Sequence, residues 1–225
     1  ELQRDANKRF KYSADRTLKL MQSLYENHKV LTYPRTSSRF LSEDIVPKLP
    51  ELISNVKELP QYNTIAEKLG VGPLPITKRI VDDKKVTDHH AIIPTDKIAD
   101  LSKFNKDERN FFELVIKRFL AVFLPECIKN HTEIISNFGE HRFRSSGTVI
   151  KEPGWREPYL QDKPTEEQED NKDNKKNKKV EVLLPNVDEN DAIKQKEIKK
   201  EKGETKPPPL YNEASILAAM ETAGK

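Results

Sequence analysis

Tyr33-Pro34-Arg35-Thr36 closes a short apolar run, and His89-His90-Ala91-Ile92-Ile93-Pro94-Thr95 begins 56 positions after the tyrosine. Together they supply a nucleophile, a phosphate clamp and a hydrogen-bond donor. A phenol ionises only near pH 10, so covalent catalysis by tyrosine needs nearby positive charge or a base. Arg35 is placed to provide the charge. Pro34 keeps Tyr33 out of the α region, which predicts an extended segment with Arg35 two residues on and along the same side. The guanidinium fork then offers paired, permanently charged donors to a phosphoryl group.

Taken alone, a Tyr-Pro-Arg triplet reads as a surface turn, and His89 and His90 read as loop or capping histidines. Their neighbours change that reading. Leu31-Thr32-Tyr33-Pro34-Arg35-Thr36-Ser37-Ser38-Arg39-Phe40-Leu41 and Asp88-His89-His90-Ala91-Ile92-Ile93-Pro94-Thr95 resemble signatures of type IA DNA topoisomerases, more specifically the topoisomerase III branch. Leu2 to Phe10, Gln22-Ser23-Leu24-Tyr25-Glu26, Ser146-Gly147-Thr148-Val149, Pro153-Gly154-Trp155-Arg156 and Pro207 to Leu217 resemble further stretches of that family, in family order. One departure is Ser37, where an aspartate often follows the threonine in the family.

The resemblance implies that Tyr33 attacks a phosphodiester of single-stranded DNA, leaving a 5′-phosphotyrosyl link and a free 3′-hydroxyl, so that religation needs no ATP. Arg35 is expected to bind the scissile phosphate, and His89 to hydrogen-bond it in the transition state. Thr36, Arg39, His90, Arg4, Lys8 and Arg9 are candidate DNA contacts; for each, solvated surface charge or ordinary packing is the competing reading. The family carries its magnesium ligands in an amino-terminal Toprim domain that has no counterpart in this sequence. The chain is therefore expected to be a fragment with no metal site of its own and negligible cleavage activity alone. Two other classes compete. A tyrosine recombinase places its arginine and histidine before the tyrosine, the reverse of the order here. A noncatalytic helix-turn-helix DNA-binding module would explain the helices and the charge, and would lose little on Tyr33→Phe.

The composition fits a soluble protein that handles an anion: 225 residues, 35% hydrophobic, 34% charged, net charge +3. Residues 1–127 hold 22 Lys plus Arg against 18 Asp plus Glu, a net +4, and the remainder holds 18 against 19, a net −1. The positive excess lies with the tyrosine. The single Cys127 excludes an internal disulfide and a cysteine-based zinc site within this chain, and suits a reducing compartment. No apolar run approaches a membrane span, and the first residues lack a signal peptide's apolar core. DNA is the expected partner, with no membrane and no small-molecule substrate, in a cytoplasmic, nucleoid-associated setting.

The elements that must position these residues are read as an α+β arrangement. Ser13 caps a helix running to about Asn27, with Ala14, Leu18, Met21 and Tyr25 on its apolar face. Lys29 to Tyr33 reads as a short strand. Ser42, Glu43 and Asp44 start a helix extending toward Val56, with Pro47 in its first turn or so. Asp107 to about Leu124 forms an amphipathic helix that Pro125 ends. Residues 1–127 thus form a helical, winged-helix-like tyrosine domain. Residues 128–206 form a strand-rich gate or arch segment, with strands at Thr132 to Phe138, His141 to Ile150 and Val180 to Leu184. A charged loop without a hydrophobic residue lies at about 161–179, and Lys194 to Lys206 returns as an exposed strand. Residues 207–225 begin a further helical DNA-binding domain with a helix from Glu213 to Ala223.

Overall fold

The computed structural model describes residues 1–162, 184–194, 196–200, 202–205 and 207–223. It divides into two units: residues 1–126 with 154–165 and 211–225, and residues 127–153 with 166–210.

The first unit is built from helices α1 (Leu2–Phe10), α2 (Ala14–Glu26), α3 (Leu49–Lys57), α4 (Asn63–Leu69), α5 (Lys106–Ala121) and α6 (Glu213–Thr222). Its centre is α5, whose Phe111, Phe112, Leu114, Val115, Ile116, Phe119 and Leu120 are all buried. Asn105 starts this helix with a reciprocal capping box: its side chain accepts from the Glu108 N–H, while the Glu108 carboxylate accepts from the Asn105 N–H. On α2, Ser13 caps as expected, accepting from the Arg16 N–H. The buried stripe of α2 is Thr17, Leu20, Met21 and Leu24, one position round from the expected face. Leu18 is only partly buried, and Tyr25 sits at the rim. A single step on a helix turns a side chain by about 100°, and the apolar residues at both 20–21 and 24–25 fit either register.

The expected helix from Ser42 to Val56 is two pieces. Glu43–Lys48 forms a 3-10 turn with Pro47 inside it, and α3 begins at Leu49 with a proline in its first turn. Pro47 and Pro50 lack the N–H donors that a continuous α-helix would use, so the chain changes helical type between them. In α5, regular helix ends at Ala121 rather than near Leu124. The last residues close through shorter bonds, from Phe123 N–H to Leu120 O and from Leu124 N–H to Ala121 O, before Pro125.

After Pro153 the chain makes a 3-10 turn, Gly154–Tyr159, packed on α5. Gly154 has φ +49°, and a Cβ there would lie 2.3 Å from the Glu126 carbonyl oxygen and 2.5 Å from that of Pro125. Only glycine allows the Trp155 N–H to reach the Pro125 carbonyl at 2.8 Å. Asp162 then receives both Arg9 and Lys117. The α6 helix, capped by Asn212 through a reciprocal bond with Ser215, packs against α1.

Among its described residues the second unit contains one antiparallel hairpin, β1 (Ile128–Phe138) with β2 (His141–Glu152), in the register Phe138 to His141. Gly139 has φ +57° at the first of the two loop positions, the place where a II′ turn takes glycine. Both strands outrun the expected Thr132 to Phe138 and His141 to Ile150, because the ladder continues to the Ile128–Glu152 pair. No strand occurs among the described residues of 194–206. Ile198 is exposed there, and without a paired neighbour the segment gains no ladder. The expected loop at 161–179, apart from Gln161 and Asp162, and the expected strand at 180–184, apart from Leu184, lie outside the described residues. The architecture is α+β.

Candidate active site

Tyr33 and His89 meet because two extended segments, each too short to be a regular strand, lie side by side. Leu31 and Pro94 form an isolated antiparallel bridge. The Thr32 N–H donates to the Ile93 carbonyl at 3.0 Å, and the Thr95 N–H to that of Val30 at 3.1 Å. Side chains extend the pairing: the Ile93 N–H donates to Thr32 Oγ1 at 3.0 Å, and Thr95 Oγ1 to the Lys29 carbonyl at 2.7 Å. These threonines act as extra rungs where the backbone ladder stops. The segment from Lys29 to Tyr33 expected as a strand is thus extended and paired, with Leu31 alone in a bridge.

Beyond Tyr33 the chain bends at the buried Pro34, with Tyr33 and Arg35 exposed on either side of it. His89 lies beside both. Its ring lies against the Tyr33 ring, centroids 4.4 Å apart with an interplanar angle of 40°. It also lines an open cleft of about 180 Å³ with Arg35, Thr36, Ser37, Thr87 and Asp88. Thr36 Oγ1 ties the two motifs together, donating to the His89 carbonyl at 2.8 Å and accepting from the Ser38 N–H at 3.0 Å. The Ala91 N–H donates to the Phe40 carbonyl at 2.8 Å, and Ser38 Oγ to that of Lys85 at 3.0 Å. Tyr33 keeps 37% of its surface exposed, and Arg35 is exposed with no ion pair among the described residues. Tyr33, Arg35 and His89 are all exposed, and the cleft that Arg35 and His89 line has hydroxyls around it and Asp88 as its one carboxylate.

The other candidates lie in different surroundings. His90 turns to the backbone, its Nδ1–H donating to the Ala91 carbonyl at 2.7 Å, since a carbonyl can only accept. Arg39 pairs with Glu1 at 2.7 Å, and Arg4 with Glu221 at 3.1 Å. Arg9 pairs with Asp162 at 2.6 Å and stacks over the Tyr159 ring at 5.2 Å. Lys8 shares α1 with Arg4 and Arg9. Among the described residues, no three His, Cys, Asp or Glu side chains group as a metal site requires.

A side chain that sequence reading placed in the α2 stripe also belongs to this neighbourhood. Tyr25 meets Tyr33 edge-on, centroids 5.5 Å apart at 87°. The end of α2 that carries it is anchored by Glu108, only 7% exposed. Ser23 Oγ donates to Glu108 Oε1 at 2.6 Å, and His28 Nε2 lies 3.3 Å from the same oxygen. Burial alone pushes the Glu108 carboxyl up, but the bonds from Ser23 and the Asn105 N–H, with His28 beside it, outweigh burial and hold it below its ordinary value. Next to it, the Tyr12 hydroxyl and the Arg16 guanidinium hold Asp107 down as well.

The profile of the DNA topoisomerase family matches residues 1–224. Relatives called DNA topoisomerase 3 share 44% identity over 225 residues in Bacillus anthracis, 43% over 229 in Bacillus cereus and 41% over 223 in Bacillus subtilis. Their alignments cover 98–100% of this chain and 29–30% of the relatives. Among solved structures, full-length topoisomerase I from Thermotoga maritima aligns over 98% of this chain and 33% of its own, with a TM-score of 0.56 and 22% identity. That likeness is one of fold. The chain belongs to the DNA topoisomerase family, and within it to the type IA, topoisomerase III branch. It spans about 30% of the length of the curated relatives it matches.

Proposed function

We propose that this chain carries the nucleophile of a type IA DNA topoisomerase that cuts and reseals single-stranded DNA without ATP. The observation that supports this most is the Tyr33 ring held against His89 beside the Arg35 cleft. The Tyr33 oxygen attacks phosphorus as its proton departs. The bond to the 3′ oxygen breaks, that oxygen leaves as a hydroxyl after gaining a proton, and the 5′ phosphate stays on the tyrosine. One phosphoester replaces another, so the reverse attack reseals the strand with no outside energy source. Arg35 stabilises charge on the non-bridging oxygens, and His89 donates to the phosphate as the trigonal-bipyramidal geometry forms. Thr36 acts on the site mainly by holding the two motifs together.

Magnesium in the whole protein is assigned to residues outside this chain, where it would screen phosphate charge. Arg39, His90, Arg4, Lys8 and Arg9 are proposed as secondary DNA contacts; engaging DNA would require Arg39, Arg4 and Arg9 to exchange their carboxylate partners for phosphates. The proposal also keeps residues 1–127 as the tyrosine domain, 128–206 as the gate segment that moves to pass a second strand, and 207–225 as the start of a further DNA-binding domain. It includes a cytoplasmic, nucleoid-associated setting, in which no membrane or small-molecule substrate takes part. No helix among the described residues is long and apolar enough to cross a membrane.

The test is to incubate the full-length protein containing this chain with magnesium and an end-labelled single-stranded oligonucleotide, then quench in denaturant. A covalent adduct that disappears in Tyr33→Phe is expected. Binding without an adduct in the wild type would replace the enzyme by a binding module.

A further inference from the structure

Two rings bound the Tyr33 ring from distant parts of the sequence. His89 lies against it at 4.4 Å and 40°, and Tyr25 meets it edge-on at 5.5 Å and 87°. Edge-to-face contact at that separation is the favoured geometry of an aromatic pair. Tyr25 is itself 37% exposed, and its hydroxyl has no hydrogen-bond partner among the described residues. The ring rather than the hydroxyl is therefore the part of Tyr25 that does something here. Its backbone is well fixed: Ser23 and His28 flank it and converge on the buried Glu108 carboxylate. The Val30 N–H, meanwhile, donates to the Leu24 carbonyl at 2.9 Å, which leads the chain from α2 straight into the segment bearing Tyr33.

We infer that Tyr25 is a positioning residue for the phosphoryl transfer assigned to Tyr33: its ring confines the Tyr33 phenol to the rotamer that packs against His89. The inference rests on the function proposed above. A half-exposed phenol attached to a bent, irregular segment would otherwise spread over several rotamers, and attack on phosphorus succeeds only from a narrow range of approach. Losing one edge-to-face pair lowers the share of competent rotamers without removing any group that touches DNA.

The experiment compares wild type, Tyr25→Leu and Tyr25→Phe in the full-length protein with magnesium. It measures the single-turnover rate of adduct formation at saturating oligonucleotide, and separately the oligonucleotide Kd without magnesium. Leucine keeps the helix and the bulk but not the ring edge. Tyr25→Leu is expected to form adduct about two- to tenfold more slowly, the range an aromatic pair is worth, with Kd unchanged, and Tyr25→Phe is expected to restore the lost rate. Three results would overturn the inference: a wild-type rate in Tyr25→Leu, a Kd weakened by the same factor as the rate, or a Tyr25→Phe as slow as Tyr25→Leu. An adduct that survives Tyr33→Phe would instead remove the nucleophile assignment, and this inference with it.

Discussion

Arg35 is the residue whose surroundings most clearly suit an anion. It is exposed, makes no ion pair among the described residues, and lines a cleft whose other walls are hydroxyls, a histidine and one aspartate. Its charge is free to act on a phosphate, whereas Arg39, Arg4 and Arg9 each already hold a carboxylate. Arg35→Ala is expected to slow adduct formation by about 100- to 1000-fold, the usual effect of removing one preorganised donor to developing charge. Arg35→Lys should recover only part of that loss, because an ammonium lacks the fork. Single-turnover cleavage in the full-length protein measures both. Asp88 and Ser37 share the cleft, and Ser37 stands where an acid often follows the family's threonine. The wall at that position is therefore a hydroxyl and not a second carboxylate.

At the scale of elements, the junction of α2 and α5 determines where the tyrosine segment starts. Asp107 and Glu108 sit in the first turn of α5, and both carboxyls are held below their ordinary values. A depressed folded-state pKa stabilises the fold above the unfolded value, near pH 4, and that contribution is lost as pH falls through the lower folded values. Thermal melts are expected to show a Tm that falls below about pH 4, with Glu108→Gln flattening the fall while lowering Tm at neutral pH. A second element is the turn after Pro153. Gly154→Ala puts a Cβ against two carbonyl oxygens at positive φ, and should cost about 1–3 kcal/mol or more, measured by urea unfolding. In the core, Phe111 is fully buried, and Phe111→Ala is expected to cost about 3–5 kcal/mol in the same assay.

Several of these elements were legible from side chains alone. Ser13 as a cap, the apolar face of α5, the strands on either side of Gly139 and the start of α6 all rest on local signals, and local signals survive folding. What was not legible depends on partners distant in sequence. The stripe of α2 could be read in two registers, and packing against α5 selects the one that leaves Tyr25 beside Tyr33. Pro47 alone reads as tolerable in a first turn, but with Pro50 close behind it splits the helix. At the site, Tyr33, Arg35 and His89 were readable as a set, while the way they converge was not. The Thr36 bond to the His89 carbonyl spans 53 positions. No local pattern announces such a bond.

For the whole molecule, the relevant facts are that the chain belongs to the type IA topoisomerase III branch and covers about 30% of its relatives. The chain by itself, with magnesium and a single-stranded oligonucleotide, is accordingly expected to yield no adduct under conditions where the full-length protein does; gel analysis after denaturant checks this. The most direct test of the central claim is to digest the trapped adduct and sequence the DNA-linked peptide by mass spectrometry. The account predicts one modified residue, Tyr33, carrying the phosphate through the 5′ side of the DNA. A phosphate linked to any other residue, or joined through the 3′ side, would contradict it.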